Sequence, residues 1–118
     1  MKMLTAKELK LLKQNFKPVT FNNFFILVHE KQVPSTCIIL LNGKLEFLKH
    51  KKVEKFIEPG ILLGVSHLIH NNPVKFDWKI TDGSEVILIQ KTDILEILED
   101  KDSDLYPIFA SRTAIINY

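Results

Sequence analysis

Between Val19 and Ile89 the apolar runs are short, and each is soon met by a turn signal: Asn42-Gly43, His50-Lys51-Lys52, Pro59-Gly60, Asn71-Asn72-Pro73 and Asp82-Gly83. Breaks about every eight to twelve residues leave room for short strands and not for long helices. The strands expected are Phe24–Val28, Cys37–Leu41, Leu45–Lys49, Val53–Ile57, Phe76–Thr81 and Val86–Gln90, with a helical piece at Ser66–His70. Asn42-Gly43 is expected to close a hairpin between the second and third of these. Alternation places Leu45 with Phe47, Val53 with Lys55 and Ile57, and Phe76 with Trp78 and Ile80, each set on one face.

The ends read as helices. Thr5 with Glu8 forms a capping box for a first helix carrying Leu9, Leu11, Leu12 and Phe16, and Pro18 ends it. Thr92 or Asp93 is expected to cap a helix through Ile94, Leu95, Ile97 and Leu98. Ser103 or Asp104 should cap a last one with Pro107 in its first turn. The fold class is therefore mainly β: a jelly-roll or double-stranded β-helix barrel with flanking N-terminal and C-terminal helices. With 118 residues the expectation is one domain: residues 1–17 the first helix, 19–91 the barrel and 92–118 the last helices.

Charge narrows the function. Lys plus Arg total 16 against 14 Asp plus Glu, a net +2 that is too small to argue for nucleic acid. Arg112 is the only arginine, where a protein built to clamp phosphate would use several. Cys37, the single cysteine, reads as a buried small hydrophobe; with no disulfide framework and no signal peptide, a cytoplasmic setting is expected. No run approaches the roughly 18 apolar residues of a membrane span.

Three segments in order resemble the cyclic-nucleotide-binding domain of bacterial catabolite-activator-type regulators and of kinase regulatory subunits. They are Cys37-Ile38-Ile39-Leu40-Leu41-Asn42-Gly43-Lys44-Leu45-Glu46, Pro59-Gly60-Ile61-Leu62-Leu63-Gly64, and Val86-Ile87-Leu88-Ile89-Gln90-Lys91-Thr92-Asp93-Ile94-Leu95. The resemblance implies a phosphate-binding cassette at Gly64–Asp77. There a Glu holds the ribose hydroxyl and an Arg neutralises the cyclic phosphate. Gly64 and Pro73 match that pattern. Val65 stands at the Glu position and Val74 at the Arg position. Asp77 replaces a small residue and would repel an anion, and Lys31 stands where the family has a glycine before its strand. An apolar side chain cannot pair a desolvated phosphate, so binding of cAMP or cGMP by that chemistry is not expected. Lys75 lies one position from Val74; a shifted basic site would use Lys75 with Lys79, or His67 with His70. The chain after the last strand is too short for the DNA-reading module of the family's transcription factors.

Other chemistries lack their residues. No cofactor or metal is expected: zinc needs three or four ligands and no His-x-His occurs. Ser66 beside His67 has no nucleophile elbow, so no enzyme is expected. Lys49-His50-Lys51-Lys52 with Lys55 reads as a solvated hairpin tip, and Phe21, Phe24, Phe25, Phe47, Phe56, Phe76 and Trp78 as core. Phe24–Leu27 and Ile38–Leu41 place apolar groups on both faces, one of which needs the terminal helices or a partner. The expectation is a regulatory or adaptor domain acting through protein–protein contacts or as a homodimer. Its candidate interface is Leu105, Ile108, Phe109, Arg112, Ile115, Ile116 and Tyr118. The alternative is a sensor binding a different anionic or nucleotide ligand in a rebuilt cassette.

Overall fold

A computed structural model of the chain describes residues 2–116 and 118. Helix α1 (Ala6–Asn15) opens the fold. Eight strands follow: β1 (Val19–Thr20), β2 (Phe25–Val28), β3 (Thr36–Asn42), β4 (Leu45–Lys49), β5 (Lys52–Ile57), β6 (Leu62–Leu63), β7 (Asp77–Ile80) and β8 (Glu85–Gln90). Helix α2 (Val65–His70) lies between β6 and β7, and α3 (Lys91–Glu99) and α4 (Tyr106–Ala110) follow β8. The strands form two four-stranded antiparallel sheets, β1-β8-β3-β6 and β2-β7-β4-β5. This is a two-sheet jelly roll with flanking helices, not the closed barrel expected.

The first sheet is apolar on both faces because both are covered. Cys37 and Ile39 on β3 and Ile87 and Ile89 on β8 pack with Leu12, Ile94, Ile108 and Phe109 of the helices. Ile38, Leu40 and Val86 turn the other way, against Leu45, Phe47, Trp78 and Ile80 of the second sheet. A strand buried on both sides reads as an unbroken apolar run, which explains Cys37–Leu41. The terminal helices, not a partner, cover its second face.

Several boundaries depart from expectation for local reasons. Asn42-Gly43 closes no hairpin, because β3 pairs β6 and β8 whereas β4 pairs β5 and β7. The dipeptide is instead the corner where the chain crosses between sheets. Gly43 has φ +95°, and a Cβ there would fall 2.3 Å from Ser84 Oγ. The Lys44 N–H donates to that oxygen at 3.1 Å, and Thr81 Oγ1 donates to the Lys44 carbonyl at 3.0 Å. The two-residue hairpin is β4–β5, with His50 and Lys51 both left-handed at φ 52° and 64°. A register shift in that ladder pairs Phe47 with Lys55 but Leu48 with Val53, so Val53 turns outward, 43% exposed, away from Ile57. Phe24, Phe25 and Phe56 are likewise exposed rather than core.

At the helices, the Thr5–Glu8 box forms as expected. Helix α3 starts at Lys91 straight from β8 with Gln90 as N-cap, so neither Thr92 nor Asp93 caps it. Leu105 is the N-cap of α4, and Ser103 Oγ accepts from the Leu105 N–H instead of capping the helix.

Candidate functional site

The cassette runs from the end of β6 to the start of β7. Gly64 turns the chain into α2 with φ +99° and packs on Cys37 and Trp78, a conformation that disfavours any side chain. Asn71, also left-handed, ends α2, and the Asn72 N–H returns to the His67 carbonyl at 2.9 Å. The far end is tied to the loop before β3: Lys31 N–H donates to Val74 O at 2.8 Å and Val74 N–H to Gln32 O at 2.9 Å. Lys31 holds φ 72°, a glycine-like backbone at the position where the resemblance places a glycine.

The two valines face apolar surroundings. Val65 is 2% exposed and packs in the helix-side core; Val74 is 2% exposed and packs in the core between the sheets. Asp77 Oδ1 accepts the Glu30 N–H at 2.7 Å and lies 3.8 Å from His29, so its carboxylate fastens the neighbouring loop. Lys75 is exposed, and its N–H donates to Tyr118 O at 3.2 Å. Lys79 points away on the outer face of the second sheet, 3.8 Å from Glu46 and over the Phe24 ring. The four lysines and histidines expected in a shifted site therefore do not converge. His67 turns inward and is fully buried, whereas His70 is exposed and its Nε2–H donates to Thr113 O at 2.7 Å.

What fills the cassette interior is aromatic. The Tyr118 ring lies 4.9 Å from His67, 5.8 Å from Phe47 and 5.9 Å from Trp78; Phe47 also stacks on Phe76 at 5.5 Å. Tyr118 Oη accepts the Gly64 N–H at 3.3 Å. Burial raises the Tyr118 phenol above its ordinary pKa, partly opposed by that bond. Burial pushes His67 down, partly opposed by its bond to Asn72 O. A carbonyl only accepts, so Nδ1 of His67 carries the proton in that 2.9 Å contact. A shallow groove beside the cassette is lined by Glu30, Lys31, Lys49, Lys75, Val74 and Phe76, with Lys49 paired to Glu30. Their ion pair holds the Glu30 carboxyl below the ordinary carboxylate range.

The candidate interface divides. Leu105, Ile108 and Phe109 are buried in the chain's own core beneath α3, which removes them from it. Arg112 donates to Ile108 O at 2.7 Å and is half-buried, and Tyr118 turns into the cassette. Ile115 and Ile116, 66% and 43% exposed, stay on the surface. Sequence reasoning missed the partnership of His67 with Tyr118. A tyrosine after two isoleucines signals an apolar contact, but nothing local says that it reaches α2.

No family model matches the sequence, and no curated protein does. Solved structures do share the fold. A structure from work on a cyclic-GMP-dependent signalling pathway regulating bacterial phytopathogenesis is 17% identical, with TM-score 0.73 over 96% of this chain and 93% of that one. A putative cyclic nucleotide-binding protein from Geobacter metallireducens is 20% identical, with TM-score 0.63 over 93% and 84%. The catabolite activator protein of Thermus thermophilus is 16% identical, with TM-score 0.66 over 92% of this chain and 51% of that one. The fold is that of cyclic-nucleotide-binding domains.

Proposed function

We propose that this chain is a non-catalytic regulatory domain that acts through protein–protein contacts and does not bind cAMP or cGMP by the usual chemistry. The observation that carries the reading is the pair of buried valines, Val65 and Val74, at the positions where the resemblance implies a carboxylate and a guanidinium. A cyclic phosphate entering there would lose its hydration without a countercharge, at a cost of several kcal/mol or more. His67, Trp78, Phe47 and Tyr118 fill the adjoining interior, so a nucleotide would also have to displace packed rings.

The surface supports a role in contacts. Phe24, Phe25 and Phe56, each about half exposed or more, project from the second sheet, whose outer face no helix covers, and Ile115 adds a further exposed apolar group. Lys79 over Phe24 and Lys44 over Phe56 give that surface a cationic rim. A buried free Cys37 suits a reducing compartment such as the cytoplasm, and no described helix is long and apolar enough to cross a membrane.

The second reading, a sensor for another anionic ligand, draws on one feature. Lys31 and Lys75 line the open groove beside Val74 without a carboxylate partner among the described residues. Sedimentation of the wild type and of Phe56→Asp and Ile115→Asp, followed by affinity capture with each, tests the contact reading. It expects self-association or specific capture that at least one substitution abolishes. A monomer whose capture profile neither substitution changes contradicts it.

A further inference from the structure

We propose that the cavity between α2 and the segment after α4 binds a small oxyanion, with Arg112 and Ser66 as its direct ligands. The cavity has a volume of about 110 Å³, and its walls include Leu62, Val65 and Ile116 besides Ser66, Arg112 and Lys2. Two of those residues carry buried polar atoms with no hydrogen-bond partner among the described residues: Ser66 Oγ, on a side chain within a residue only 3% exposed, and Arg112 Nη2. The other guanidinium nitrogen, Nη1, is already engaged by Ile108 O at 2.7 Å and Ser111 Oγ at 3.3 Å, which fixes the plane of the group.

Arg112 has no carboxylate within ion-pair distance among the described residues. A guanidinium stays charged in proteins, so a half-buried one without a countercharge is held at a cost that an anion would remove. Burial lowers the Arg112 pKa, and Glu8 only partly offsets it. An orphaned hydroxyl and an orphaned guanidinium N–H on one small, mostly apolar cavity are the donors a phosphate oxygen accepts from. Lys2 adds a second positive group to the wall. Size sets the ligand class. A cavity of about 150 Å³ holds benzene, so this one admits an inorganic-phosphate-sized group and not a whole nucleotide. The place is also distinct from the cassette's implied phosphate position at Val74, which belongs to the core between the sheets, whereas Val65 beside this cavity belongs to the helix-side core.

The test titrates the full chain with inorganic phosphate and, separately, phenyl phosphate, against chloride at matched ionic strength. Thermal stability and calorimetry are read for the wild type, Arg112→Met and Ser66→Ala. Phosphate should stabilise the wild type in a concentration-dependent way. Arg112→Met should weaken its binding about tenfold or more, and Ser66→Ala about threefold to tenfold, as expected for charged and neutral donors. Ser66→Ala guards against a folding artefact, because removing an unpartnered buried hydroxyl should leave the anion-free protein as stable as before. Binding of phosphate but not phenyl phosphate identifies a free anion; tighter binding of phenyl phosphate identifies the terminal group of a larger molecule. No stabilisation beyond chloride by either compound, or equal stabilisation in Arg112→Met, overturns the proposal. Neither result bears on Phe56 and Ile115, so the contact reading stands or falls separately.

Discussion

Acid should destabilise this protein through His67. Its ring is fully buried, its Nδ1–H is committed to Asn72 O, and its Nε2 has no partner among the described residues. Protonation would place a cation against the edges of Trp78 and Tyr118 with no carboxylate beside it. Burial therefore holds the native pKa below the ordinary value of about 6.5. Below that value the unfolded chain takes up a proton that the native state refuses. The unfolded state then binds more protons, so stability falls as pH drops and is unaffected well above the unfolded pKa. If the native ring stays neutral throughout, the loss reaches about 1.4 kcal/mol one pH unit below the unfolded pKa. Urea unfolding followed by the fluorescence of Trp78, the single tryptophan, at about pH 7.5 and about pH 5.5 measures it. His67→Asn keeps an N–H for Asn72 O and cannot titrate. Carboxylate contributions common to both proteins cancel in the difference between them. The wild type should lose about 1.4 kcal/mol more than the variant across that interval. Equal losses would refute the reasoning and show that the buried imidazole either takes the proton or is not buried in solution.

The sheet-crossing corner gives a sharper steric test: Gly43→Ala should cost about 3 kcal/mol or more in urea unfolding, since its Cβ would meet Ser84 backbone at 2.7 Å in addition to adopting a left-handed conformation. Lys31→Gly should instead stabilise by about 1 kcal/mol, because φ 72° strains a lysine and suits a glycine. Tyr118→Ala should cost about 2 kcal/mol in the same assay through lost packing on His67, Phe47 and Trp78. Cys37 should resist thiol reagents in the native protein and react at the rate of unfolding, since burial both hides its sulfur and raises its pKa.

The strands and the sheet-to-helix order were legible because their signals are local. Leu45–Lys49 has its ends where alternation puts them, and the Thr5–Glu8 box needs only residues three apart. The short strands β1 and β6 were not, because a two-residue strand has no period to read and is defined only by the partner it pairs with. Asn42-Gly43 carries the strongest hairpin signal in the chain, yet turn chemistry fixes only the reversal of direction. Ser84, forty residues away, decides which sheet receives the next strand. At the cassette, the departures at Val65 and Val74 could be read from position alone. The inward turn of His67 and its contact with Tyr118 could not, since they depend on how the tail packs against α2.

The most direct measurement is a calorimetric titration of the full chain with cAMP and cGMP, paired with Trp78 fluorescence, which reports on the rings around Tyr118. With valines at the two charge-bearing positions, neither nucleotide should give saturable heat or a fluorescence change below about millimolar concentration. Micromolar binding of either one, with a matching change at Trp78, would contradict the account and make this domain a nucleotide sensor.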